Sequence, residues 1–553
     1  MARAILLIVV GFAVTIGSAA SDTYLHRGTS EETDEVYRQP LARGLATNVD
    51  LRGMSDNELF SAVNFLRTGG YRYARQEFSW ATMQPAVDEF VWTEYRRIVD
   101  ALHAADIQIV AVLVDTPAWA RAPEDLSHAD APPLDPRFLQ NFCVAFRAEF
   151  QDLQIFQIGD QLDNPQHWGG SSLQNVTYRN MVRAVAQGLD VTATDSVLIS
   201  GEVGRDRTLR EAGADIAKLE QLVQDPSLRG LLSAFAIAVD GGSDSPYDRE
   251  ASVDQTNLSR VVLVREAIDN AGATNVPLWF THFGWSGDGD NPVGPDDQAR
   301  FVESGIRRAR AEWPWVGVIF NWTYAALPES PETATMALIA NGQPTPLMTA
   351  MGEFSRSSLG SSMTNGFAPA TTSACAYSGN WQDQHLFNGI YKIVRDPSAT
   401  VTCRFWGTGI SVYFRFSPDA GNALFVVDSD SLPESDSSGM VQLRFRASDA
   451  SELAVPLVDG LQEGLHTVTI GVEEGSGELV IGGYLVERER PMIWPIAVLV
   501  AAGLVALFLG FRSLGTMAAE HAGIVDPPSD TAPATPLPTM PNWQPGPRFN
   551  RAR

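Results

Sequence analysis

Between Leu45 and Trp322, short apolar runs recur at intervals that leave room for a helix after most of them, and this alternation restricts the fold more than any other feature of the chain. The runs fall at 45–51, 71–75, 107–115, 153–159, 196–201, 231–240, 277–283 and 315–322. Helical periodicity fills gaps at 56–67, 92–105, 135–150, 253–271 and 295–312, and 333–340 can supply a final helix. Asp56 is placed to cap the first of these helices and Pro295 to open the 295–312 helix. Eight strands alternating with helices predict a (β/α)8 barrel over 41–354. An open, doubly wound sheet is the competing arrangement, but no Gly-rich phosphate fingerprint follows the first run.

The chain has 553 residues, too many for one ordinary domain. A Ser/Thr/Gly-rich linker is expected at 355–373, after which the periodicity changes to that of strands. Segments such as TVTCRFWG, ISVYFRF and HTVTIGV predict an antiparallel β-sandwich over 374–490. Residues 1–20 have the charged, apolar and small-residue layout of a secretory signal cut after Ala20, with an uncleaved anchor as the alternative. The apolar stretch 491–511 is long enough for one transmembrane helix, and 512–553 reads as a disordered, Pro-rich cytoplasmic tail. These features together predict a single-pass type I membrane protein with most of its mass outside the cytoplasm. Cys375 and Cys403 suit that compartment as a disulfide, whereas Cys143 reads as a buried, inert thiol. A formal net charge of −26 argues against nucleic acid as a partner.

Barrel function concentrates at the C-terminal ends of the strands. Reading those ends in order gives Arg75, Glu77, Asp115, Asp160, Gln161, Glu202, Asp240, His282 and Trp322, with Trp80, Trp119, Trp168 and Trp285 nearby. Tryptophan faces stack on the C–H faces of sugar rings, and polar side chains serve the hydroxyls. The set therefore points to an oligo- or polysaccharide partner. No second histidine stands at ligand spacing from His282, so neither a metal nor a cofactor is expected.

The stretch from Tyr71 to Ala120 resembles the opening of clan A glycoside hydrolases, the cellulase and xylosidase-like barrels. Arg75, Trp80, Pro85, Trp92, Pro117 and Trp119 carry the likeness. That family's acid/base motif, Q-I-W-N-E-P-N, meets Gln157-Ile158-Gly159-Asp160-Gln161-Leu162-Asp163 here. Its nucleophile motif, T-E-F-G-W, meets Thr281-His282-Phe283-Gly284-Trp285, and Trp322 matches the tryptophan under the reactive sugar. The resemblance therefore implies glutamine at the acid/base position and histidine at the nucleophile position. Arg75, Trp119, Asp160, Gln161, Asp240, His282, Trp285 and Trp322 become the expected sugar-binding residues. The β-sandwich is similar to jelly-roll modules appended to such barrels.

Retaining hydrolysis needs two carboxyl groups about 5–5.5 Å apart. Gln161 has no proton to give, so the resemblance implies a glycan-binding barrel that lacks the usual catalytic pair. A working glycosidase with displaced carboxylates, Asp160 with Glu202, is the alternative, and an envelope scaffold is another. Strand alternation would aim Asp160 away from the side that Gln161 faces.

Overall fold

The computed structural model describes residues 2–25, 27, 45–194, 196–288, 292–326, 331–357, 361–386, 389–428, 440–448, 451–475, 477–488 and 494–521. They divide into two units, residues 26–491 and the pair of terminal segments, and each is described by itself.

Eight strands close the barrel: β1 (Leu45–Val49), β2 (Tyr71–Ser79), β3 (Gln108–Val114), β4 (Ile155–Ile158), β5 (Val197–Val203), β6 (Ala234–Asp240), β7 (Leu278–Gly284) and β8 (Val316–Asn321). Each runs parallel to its sequence neighbour, and β8 returns to β1 through Ala46↔Phe320 and Thr47↔Asn321. That closure rules out the open sheet. The strands are apolar on both faces because both are covered. Ala46, Val110, Ile199, Ala236, Trp279 and Phe320 fill the interior, while larger residues such as Phe78, Phe156 and Phe235 pack outward on the helices. Trp279 occupies the space over Gly317, where an added Cβ would sit 2.4 Å from the indole. Only glycine fits beneath that ring.

The helices follow their sequence signals with a few departures. Ser55, rather than Asp56, caps the helix Asp56–Thr68, and it forms a reciprocal box with Glu58. The helix expected at 253–271 is confined to Val261–Asn270 with a 3-10 turn before it, because Asn257 accepts from the Arg260 amide and caps that turn. The expected helix at 333–340 is instead a 3-10 turn, Pro331–Met336, and a strand, Ala337–Ala340. The last helix of the barrel region is Pro346–Arg356, capped by Thr345. It reaches into the predicted linker, which also contributes a strand, Gly366–Pro369, paired with Leu479–Glu487.

The region after that linker is a pair of antiparallel sheets, of six and five strands. Their facing side chains, among them Phe405, Phe414, Phe425 and Tyr484, form a separate core. Cys375 and Cys403 are register partners on adjacent strands and form a disulfide, while Cys143 is buried and free.

The other unit contains two helices, Ala2–Leu25 and Trp494–His521. Both are long and apolar enough to cross a membrane. The C-terminal helix continues ten residues past the predicted end of the span, through segment 512–521 of the expected tail. Residues 522–553, with Arg548, Arg551 and Arg553, lie outside the described residues.

Candidate functional site

A cavity of about 560 Å³ opens at the C-terminal ends of the barrel strands. That size lies within the range of small-ligand pockets. The strand ends supply its walls: Asn48 from β1, Arg75 and Glu77 from β2, Asp160 and Gln161 after β4, and His282 from β7. Trp322 follows β8, and Trp80 and Trp168 add further aromatic surface.

β4 ends at Ile158, so strand alternation does not govern the next three residues. Gly159 and Gln161 take left-handed backbone angles, φ +72° and +46°. The chain turns, and Asp160 and Gln161 both line the cavity, contrary to the expectation that they face opposite ways. Gly159 is required twice: for its φ, and because an added Cβ would meet the Trp168 ring at 2.9 Å. Trp168 is tied back by its indole N–H, which donates to the Gln161 carbonyl at 3.1 Å.

A chain of charged side chains runs across the cavity floor. Arg75 donates to Gln157 (2.9 Å), to Asn48 (2.9 Å) and to one oxygen of Asp160 (2.9 Å). The other Asp160 oxygen accepts from Arg205 at 2.5 Å. Arg205 also donates through Nε to Glu202 at 2.7 Å. The second Glu202 oxygen lies 2.6 Å from the Thr281 hydroxyl and 2.5 Å from His282 Nδ1. Three donors thus converge on Glu202, which is completely buried. Burial alone would raise its pKa, but Arg205 and His282 outweigh that effect and hold the carboxyl well below its usual range.

His282 is affected in a related way. Burial, followed by the neighbouring Arg205, lowers its pKa from 6.5 to about 4, although Glu202 pulls upward. The ring is therefore neutral at pH 7. Its proximity to an ionised carboxylate places the single ring proton on Nδ1, donating to Glu202. Arg205 also comes within 3.3 Å of Nδ1, so both polar contacts of the ring are at Nδ1 and Nε2 is left as an acceptor. The Trp322 ring stands edge-on to His282 at 5.3 Å.

Two other carboxyls near the floor are perturbed. Burial, with Asp160 adding to it, raises Glu77, whose side chain keeps 39% exposure and comes within 3.5 Å of Arg52. Burial raises Asp163 to about 6. One Asp163 oxygen accepts from the Gly204 amide, and the other is buried without a hydrogen-bond partner among the described residues.

Of the residues expected from sequence, Arg75, Asp160, Gln161, His282 and Trp322 share the cavity, and Glu202 lies directly against His282. Trp119, Asp240 and Trp285 are not part of its lining. Trp119 packs edge-on to Trp80 and donates to the Gln84 carbonyl. Asp240 is held by Arg210 at 3.0 Å and by the Gly242 amide. Trp285 is fully buried between Phe283 and Phe301. Arg205 was missed, although its position three residues after Glu202 could have suggested a pair. Asn48, Asp50 and Arg52 were also missed, because β1 ends without a recognisable motif. Among the described residues, no cluster of histidine, cysteine and acidic side chains could hold a metal ion.

No protein-family model matches this chain, and no curated protein sequence does either. Among solved structures it is similar to a family 39 glycoside hydrolase from Bacteroides cellulosilyticus, at 15% identity over 79% of this chain and 81% of the other, with a TM-score of 0.44. It is also similar to a family 30 subfamily 8 xylanase from Clostridium acetobutylicum, at 12% identity, 79% and 98% coverage, and a TM-score of 0.40. A third is xylanase 10B from Thermotoga maritima, at 15% identity, 57% and 94% coverage, and a TM-score of 0.41. Likeness at this level carries no argument about activity, and the barrel assignment stands on its closed strand ladder.

Proposed function

We propose that the barrel is a membrane-anchored, extracytoplasmic glycan-binding domain that does not cleave glycosides by a paired-carboxylate route. One observation carries this reading: the two positions where the resemblance implies catalytic glutamates, 161 and 282, line one cavity together with Trp322, and they hold an amide and a neutral imidazole. The displaced candidates do not replace the missing pair. Both oxygens of Asp160 are taken by arginines, and Glu202 is buried under three donors. An amide and an unprotonated Nε2 suit hydroxyl groups, and Trp322 offers a surface for a sugar ring. The disulfide supports an oxidising compartment for this part of the chain.

The test uses the full chain in detergent. Aryl glycosides should show no turnover between about pH 4 and 8, the range in which carboxylate pairs work. Binding on a glycan panel should be lost in Trp322→Ala. Turnover by the wild type would overturn the reading. Restoring hydrolysis should take three changes: Gln161→Glu, His282→Glu and Glu202→Gln. The third offsets the charge added at 282, where a carboxylate would otherwise face the buried one at 202.

A second reading rests on Glu77, a carboxyl open to the cavity with a raised pKa. Such a group can act as a general acid. If turnover is found, its disappearance in Glu77→Gln would assign that role.

A further inference from the structure

The sequence reading treats residues 1–20 as a leader removed at Ala20. The packing of the two terminal helices argues otherwise. Ala4, Gly11 and Ser18 are the buried positions of the N-terminal helix, at seven-residue spacing and therefore on one face. Gly503 and Gly510 are buried on the C-terminal helix at the same spacing. The two stripes meet. A Cβ added at Gly11 would lie 2.8 Å from the Gly503 carbonyl oxygen. One at Gly503 would lie 3.0 Å from the Thr15 amide, and one at Gly510 would lie 3.0 Å from the Ala4 carbonyl oxygen. Contacts from Ala4 with Gly510 to Thr15 with Gly503 make the pair antiparallel.

Large side chains face the other way. Leu6, Val9 and Ile16 on one helix are 58–64% exposed, as are Val505 and Phe508 on the other. Small residues inside and large apolar residues outside is the pattern of helices paired within lipid, where close backbone approach supplies the packing. A second, independent feature agrees. The antiparallel register brings Arg3 and Arg512 to the same end of the pair, as the positive-inside rule requires of two spans joined by an external loop. Arg488, just before the second span, is paired with Glu463 within the other unit. The cut site is also unsuited to removal. Ser18 is buried, and the helix continues unbroken to Leu25, whereas a peptidase must take its substrate as an extended segment.

We infer that the N-terminal helix is retained and pairs with the C-terminal helix as a two-span membrane hairpin, with Arg3 and Arg512 on the same, cytoplasmic side. The intervening chain, barrel and β-sandwich included, then leaves and re-enters the same membrane face. The residues of the leader motif thereby serve as half of a permanent anchor.

The test has two parts, both on the full chain in its membrane. Mass spectrometry of the extracted protein should recover peptides from residues 4–20 joined to the sequence beyond. A first residue just after Ala20 would overturn the inference. Cysteine pairs then test the contact: Gly11→Cys with Leu507→Cys, and Ile8→Cys with Gly510→Cys. Leu6→Cys with Leu509→Cys is the outward-facing control. After oxidation and proteolysis between the helices, either inner pair should hold the two terminal fragments together, while the control leaves at least tenfold less joined. Equal joining in all three pairs, a link only between separate chains, or no joining in either inner pair would overturn the pairing.

Discussion

Acid pH should separate His282 from its surroundings in a way that only its buried, neutral state explains. The His282 pKa falls from 6.5 unfolded to about 4 folded, so between those values the unfolded chain binds more protons. Stability from this residue is complete above pH 6.5 and is lost as pH falls towards 4, by about 3 kcal/mol at 1.36 kcal/mol per pH unit. Asp163 does the reverse. Its pKa rises from 3.8 to about 6, so the folded chain binds more protons between those values. Its contribution grows on acidification across that window, also by about 3 kcal/mol. Glu77, also raised, acts in the same direction as Asp163, so these two carboxyls oppose the His282 loss on acidification. His282→Gln keeps a donor for Glu202 but removes the His282 titration and leaves the carboxyls unopposed by it. Relative to wild type, the variant should therefore gain roughly 2–3 kcal/mol on going from pH 7 to 4.5. At about 2–4 °C per kcal/mol, the difference in melting temperature should move by roughly 4–12 °C. Thermal unfolding of both proteins at half-unit pH steps measures this. A difference that stays constant with pH would refute the lowered pKa of His282.

Two further outcomes follow from the packing. Glu202→Gln leaves one oxygen and one N–H₂ group facing three donors, which should cost about 3–5 kcal/mol, as for a broken buried ion pair. Its melting temperature should fall by roughly 6–20 °C, and a loss below about 1 kcal/mol would contradict the network. Replacing Cys375 and Cys403 together by serine opens a loop of sequence separation 28 and should cost about 3–4 kcal/mol. The damage should be confined to the sandwich, so urea-dependent proteolysis should cut there at lower denaturant while barrel fragments persist.

The barrel was legible because closure requires a repeated pattern, and β1 to β8 keep it with ends displaced by a few residues. The departures occur where local chemistry overrides periodicity. Asn257 ends an apparent helix early by capping a turn within it. The stretch 333–340 reads as helical, yet its last four residues pair with Thr323–Ala325 as a strand. Pairing between segments that far apart leaves no periodic trace. The site was legible where a motif fixed a position, as at Arg75, Gln161, His282 and Trp322. It was not legible where the partner came from another strand end. Trp119, Asp240 and Trp285 sit at suitable places along the chain but turn to Gln84, Arg210 and Phe301.

The charge count of the floor bears on the residue types found at 161 and 282. Asp160 and Glu202 contribute two negative charges, and Arg75 and Arg205 two positive ones, all linked by hydrogen bonds and all buried or nearly so. This inner group is neutral as it stands. A carboxylate at 161 or 282 would add an unpaired charge beside it, and an uncompensated buried charge is strongly destabilising. Gln161 and neutral His282 avoid that while keeping polar atoms toward the cavity. The resemblance implies asparagine at 160 and glutamate at 161; the aspartate here is matched by two arginines, and a second carboxylate at 161 would not be. Asp160 anchors both arginines, and Arg205 in turn fixes Glu202, which orients His282. Asp160, Glu202, Arg75 and Arg205 thus form one neutral, hydrogen-bonded group beside Gln161 and His282, and a carboxylate placed singly at 161 or 282 should cost stability.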